Sequence, residues 1–173
     1  MELKDVIRDV KDFPKPGIVF KDITPLLLRP ELFAYAFDRL ADFTRQKETD
    51  VVLAAEARGY LFGSAVAYKL ALPLVIVRKT GKLPHKKISH TYELEYGTDT
   101  LEIHEDAVRK GQRVMLVDDL LATGGTIQAC ARLVEKLGGV VAGCAFVIEL
   151  SFLKGRERLE GYDVFRIIDF DSE

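Results

Sequence analysis

Two adjacent carboxylates, Asp118 and Asp119, followed closely by Ala122, Thr123, Gly124, Gly125 and Thr126, are the residues whose types and spacing best suit chemistry. The paired glycines let the backbone take conformations closed to other residues, so successive N–H groups can point into one concavity. At the start of a helix, the orphan N–H groups and the positive end of the helix dipole both favour an anion there. Thr123 and Thr126 add hydroxyl donors, which makes the concavity a phosphate cradle. The acids cannot bind that phosphate themselves. They suit sugar hydroxyls, for which carboxylates are good acceptors, or a divalent cation. A phosphate beside a diol is a ribose 5-phosphate. A Gly-Gly pair alone is often only a turn, but a plain turn has no use for two acids whose mutual repulsion costs stability.

The elements that must position these residues follow from periodicity. Residues 114–117 are apolar and β-branched and read as a strand buried on both faces, with the acids at its end, where open parallel sheets bind ligands. A helix-periodic stretch, 126–137, follows and is capped by Gly138. Further strands are expected at 51–55, 74–77, 140–148 and 164–168. One helix starts at Pro30, with Leu32, Phe33, Ala36, Phe37, Leu40 and Phe43 inside, and another carries Leu61, Phe62, Ala65, Val66 and Leu70 inside. Strands alternating with helices indicate an α/β fold: a central parallel sheet with helices on both faces.

Two stretches depart from that rhythm. Leu3, Val6, Ile7 and Val10 recur at helical spacing and predict a short amphipathic helix before Phe13-Pro14, while the prolines of 18–25 predict an extended segment. Residues 88–103 alternate around Gly97 and read as a β-ribbon leaving the sheet and returning.

The 173 residues, 48% hydrophobic and 30% charged, suit one domain spanning 1–173. A net charge of −2 gives no reason to bind nucleic acid, and the basic cluster 78–87 lacks interleaved aromatics. No apolar run approaches the ~20 residues of a membrane helix, and no leader pattern is read, so a cytoplasmic protein is expected. Cys130 and Cys144 fall in apolar elements and read as buried thiols. His85, His90 and His104 lack metal-ligand spacing, and no zinc is expected.

The central stretch Val-Asp-Asp-Leu-Leu-Ala-Thr-Gly-Gly-Thr also resembles the phosphoribosyl-diphosphate motif of the type I phosphoribosyltransferases, in the form of their adenine phosphoribosyltransferase branch. Phe20-Lys21-Asp22-Ile23-Thr24-Pro25, Glu56-Ala57-Arg58-Gly59, Arg78-Lys79 with Gly81-Lys82-Leu83-Pro84, and Tyr92-Glu93-Leu94-Glu95-Tyr96-Gly97 look like further family motifs in family order. The resemblance implies transfer of ribose 5-phosphate from 5-phospho-α-D-ribose 1-diphosphate to adenine, giving AMP and diphosphate. Mg²⁺ is then carried on the donor, with no direct protein ligand, and a homodimer is implied.

On this reading Asp118 and Asp119 hold the ribose, 122–126 cradle the 5-phosphate, and Arg58, Lys79 and Lys82 take the diphosphate. Lys86 and Lys87 read as solvated. The lid and its ribbon are assigned to 83–103, with Tyr96 ordering them and Glu95 handling a purine ring proton. An N-terminal hood, 1–30, supplies the base pocket: the backbone of Val19, Phe20 and Lys21 reads the adenine edge and Phe20 stacks on the ring. Tyr60 and Thr80 depart from residues common in the family. Rival readings are a transferase for hypoxanthine or xanthine and a non-catalytic regulator that senses the donor.

Overall fold

The computed structural model describes residues 3–94 and 97–172. A 3-10 helix, Leu3–Val6, leads into strand β1 (Arg8–Lys11), which pairs antiparallel with β2 (Val19–Asp22) from Arg8↔Asp22 to Lys11↔Val19. The expected N-terminal helix is therefore corrected: Val6 and Ile7 do reach the core, but only a single turn forms before the chain pairs. A helix so short has little stability of its own, and strand pairing satisfies its backbone better. The extended reading of 18–25 also gives way at its end. A short helix α1 (Thr24–Leu27) forms there, because Pro25 sits in the first turn, where its missing N–H is not needed.

Helix α2 (Pro30–Gln46) opens on Pro30 and buries Ala36, Leu40, Ala41 and Thr44. Strand β3 (Val51–Ala55) is buried along its length and feeds α3 (Gly59–Leu70). Phe62 and Val66 of α3 are fully buried, but Leu61, expected inside, is 43% exposed, one step around the helix from Phe62. The chain continues through β4 (Leu74–Lys79), β5 (Lys87–Glu93), β6 (Thr98–His104), β7 (Arg113–Leu121), α4 (Gly125–Lys136) and β8 (Val140–Leu150). Two 3-10 turns, Ser151–Leu153 and Gly155–Leu159, then lead to β9 (Val164–Phe170).

The main sheet has the order β5-β6-β4-β3-β7-β8-β9. From β4 to β9 it is parallel; the ribbon β5–β6 joins β4 antiparallel through Arg78↔Glu102 and Lys79↔Leu101. The ribbon thus extends the sheet edge rather than leaving it. Alternation along β7 sends Met115 and Val117 into the core beneath α2 and α3, and Val114 and Leu116 into the core beneath α4. Cys130 and Cys144 are free and buried as expected, and burial pushes the Cys144 thiol up to about 12. Among the described residues no helix is long and apolar enough to cross a membrane.

Candidate active site

A cleft of about 540 Å³ opens at the carboxyl ends of β3, β4 and β7. Its walls are the turn Glu56–Arg58, the cations Lys79 and Lys82, and the continuous stretch from Asp118 to Ile127. The predicted ribose, phosphate and diphosphate residues are therefore brought together.

β7 continues its ladder with β8 to Leu121↔Glu149, so the strand runs on past the expected 114–117 and Asp118 and Asp119 lie within its last residues. The turn comes at 122–124. Gly124 takes a left-handed φ of +84° as the N-cap of α4 and presses on another backbone: a Cβ there would meet the Gly155 carbonyl oxygen at 2.5 Å. A Cβ on Gly155 would in turn meet the Ala122 carbonyl oxygen at 2.2 Å, so the turn after β8 braces the cradle through contacts only glycines allow. Gly155 had no sequence signal beyond being a glycine. The Tyr92 hydroxyl lies 3.3 Å from Thr126 Oγ1, and the Tyr92 ring packs so closely on Gly125 that a Cβ there would stand 3.3 Å from it.

Asp118 Oδ1 accepts the Asp119 N–H at 2.9 Å and sits where a Cβ on Gly59 would come within 2.7 Å of it. Asp119, 4% exposed, accepts from Arg58 Nε at 2.5 Å. Burial first, and the adjacent Asp119 charge second, raise the Asp118 pKa well above the ordinary range. Stability from a neutral Asp118 is fully present below the unfolded value near 4 and is lost as pH rises through the raised folded value. Asp118→Asn is therefore expected to melt above the parent at pH 7, by about 2–4 °C for each kcal/mol recovered, while its use of donor falls. The difference in melting should close as the pH is lowered towards 4. Equal melting temperatures at both pH values would remove the claimed burial cost.

Every cation of the cleft meets a carboxylate. Lys79 Nζ lies 3.1 Å from Asp99, whose hydrogen bond raises the lysine pKa. Lys82 Nζ is bound to Glu56 Oε1, while Glu56 Oε2 accepts the Lys79 N–H at 3.0 Å and lies 3.4 Å from Arg78 Nε. The Lys82 bond holds the Glu56 carboxyl down to about 2. Glu102, 6% exposed, takes the Gly81 N–H at 3.0 Å from the other side. Sequence reasoning missed Glu56, Asp99 and Glu102 as organisers of this loop. Only Glu56 carried a signal, as an acid ending a buried strand two residues before Arg58.

Val19, Phe20 and Lys21 do not line this cleft, although the Phe20 ring stands 5.2 Å from the Arg58 guanidinium carbon and packs edge-on against Phe13. The Lys21 side chain is buried, paired with Asp9 at 2.8 Å and set over Phe170, which leaves only its backbone for recognition. The Ile18 carbonyl accepts from Phe13 N–H at 3.3 Å, on the side of β1. By strand alternation Phe20 and Asp22 also face β1, so the N–H and C=O of Val19 and Lys21 face away from it. Glu95 and Tyr96, assigned to proton transfer and the lid, lie outside the described residues. Among the described residues no group of three His, Cys, Asp or Glu side chains is placed to hold a metal ion.

Residues 27–172 match the model of the phosphoribosyl transferase domain family. An adenine phosphoribosyltransferase of Thermotoga sp. (strain RQ2) is 58% identical over 97% of this chain and 99% of its own. A crystal structure of adenine phosphoribosyltransferase from Thermoanaerobacter pseudethanolicus superposes with a TM-score of 0.94 at 55% identity, covering 97% of this chain and 98% of that one. The enzyme from Saccharomyces cerevisiae, solved with an imino-altritol bisphosphate and adenine, gives 0.89 at 40% identity, with 95% and 96% covered.

Proposed function

The chain belongs to the phosphoribosyl transferase family, and from that premise we propose how its cleft performs the reaction of its relatives. It is an adenine phosphoribosyltransferase, converting adenine and 5-phospho-α-D-ribose 1-diphosphate to AMP and diphosphate. The observation that carries the reading is one cleft in which a glycine-rich helix N-terminus, an acid pair and a cationic loop lie side by side. These suit, in order, the 5-phosphate, the ribose hydroxyls and the diphosphate of one donor.

Residues 122–126 hold the 5-phosphate, and Asp118 and Asp119 accept from the 2- and 3-hydroxyls. Asp119 also fixes Arg58, so ribose and diphosphate contacts are set by one ion pair. Asp118 and Asp119, the acid pair lining the cleft beside its cations, suit the charge of an Mg²⁺ ion that the donor would carry. When bound, that ion would supply charge neutralisation of the leaving diphosphate. Bond breaking leaves an oxocarbenium-like ribose, which must be shielded from water. The ribbon, with Tyr92 over the cradle and Asp99 on Lys79, is the element proposed to shield it. Glu95 takes the purine ring proton, and the outward edge of Val19 and Lys21 reads the base.

The working unit is a homodimer in the cytoplasm. The exposed Leu61, Tyr68, Leu74 and Ile76 of α3 and β4 are the surface a second copy covers, and a monomer by sedimentation would discard it. The reaction is tested by incubating the protein with donor, Mg²⁺ and each purine base separately: AMP and diphosphate should form in equal amounts from adenine. No product from any base would return the chain to a donor-sensing regulator.

A further inference from the structure

The two oxygens of Glu56 do different work. Oε2 accepts the Lys79 N–H at 3.0 Å and lies 3.4 Å from Arg78 Nε, tying the cationic loop to the end of β3, whereas among the described residues Oε1 holds Lys82 Nζ alone. The Glu56 side chain is 10% exposed, but that of Lys82 is 46% exposed and opens on the cleft. Lys82 can therefore swing to an incoming anion while Oε2 keeps the loop in place and Arg78 stays beside the carboxylate.

We propose that Glu56 is a displaceable counter-ion, a positioning residue that keeps Lys82 ordered when no diphosphate is bound and yields it to the donor's diphosphate. This rests on the reading of Lys82 as a diphosphate ligand. Each binding event then exchanges one carboxylate partner of Lys82 for a more highly charged one, and each release returns the lysine to Glu56. The pair thus weakens diphosphate binding by the strength of the contact it must surrender, and it favours multiply charged anions over a single phosphate. It also speeds product departure, because the leaving diphosphate is replaced by an internal acceptor.

Isothermal titration of Mg²⁺-diphosphate into the whole protein, Glu56→Gln, Lys82→Ala and the double variant tests this. The amide keeps an oxygen for the Lys79 N–H but gives up the charge on Lys82. Glu56→Gln is expected to bind diphosphate about two- to fivefold more tightly, the range of a partly exposed ion pair. The gain should vanish in the Lys82→Ala background, where there is no lysine to release. Unchanged or weaker binding by Glu56→Gln, or an equal gain with and without Lys82, overturns the counter-ion role. If Lys82→Ala by itself leaves diphosphate binding unaltered, the fault lies instead in the reading of Lys82. Should Glu56→Gln not fold, Glu56→Asp, which draws the carboxylate back by one methylene, is expected to tighten binding by a smaller factor; no tightening there equally overturns the proposal.

Discussion

Adenine is expected to be used on the order of 10⁴-fold more efficiently than hypoxanthine, as kcat/KM, by a site that reads the base with backbone groups. Hypoxanthine carries an oxo group where adenine has its 6-amino group, and a proton on N1 where adenine has a lone pair. A carbonyl and an N–H on the outward edge of β2, the Val19 C=O and the Lys21 N–H, fit adenine as acceptor to amine and donor to N1. Against hypoxanthine the same edge sets carbonyl against oxygen and N–H against N–H. Side chains could turn to relieve such a mismatch, but the backbone is held by the β1 pairing from Arg8↔Asp22 to Lys11↔Val19. The Lys21 side chain is locked in the core by Asp9 and cannot substitute. Each buried mispaired group costs about 1–3 kcal/mol, and two such groups and the lost favourable bonds reach the stated factor. Steady-state assays with both bases at saturating donor measure it. Comparable values would eliminate backbone readout and leave a broad purine transferase.

Glu95→Gln should lower kcat by about 10²–10⁴-fold and move the KM for adenine far less. The purine gives up a ring proton as N9 attacks the anomeric carbon, and a carboxylate can take that proton whereas an amide of the same shape cannot. The described residues on either side of position 95 belong to the ribbon: β5 ends at Glu93, β6 begins at Thr98, and Leu94 N–H donates to the Gly97 carbonyl at 2.9 Å. Further down the same ribbon, Tyr92 reaches the phosphate cradle and Asp99 reaches Lys79. Single-turnover measurements separate this effect from product release. A variant with the parent's turnover would make Glu95 an ordinary solvated strand residue.

Local patterns in the sequence determined most of the strands, most of the helices and the glycine-rich turn at the start of α4, because each depends on residues close in the chain. The run 51–55 is apolar throughout and lies buried in β3, and the Asp-Asp and Gly-Gly pairs mark a strand, a turn and a helix N-terminus in one stretch. Where the local signal was weak, the fold overruled it. Leu3, Val6, Ile7 and Val10 have helical spacing, but pairing with residues 19–22 made a hairpin of the second half of that stretch. Only the tertiary structure decided which acids serve which cations. Glu56 and Lys82, Asp99 and Lys79, and Asp119 and Arg58 lie 20 or more residues apart in sequence, and β3, β4, β6 and β7 bring them together. The same holds for Gly155, whose missing side chain matters only because the turn after β8 packs its backbone on Ala122 and Gly124. Propensity and periodicity act along a few residues of chain, whereas ion pairs and backbone contacts act across space, so their partners became visible only once the sheet order was known.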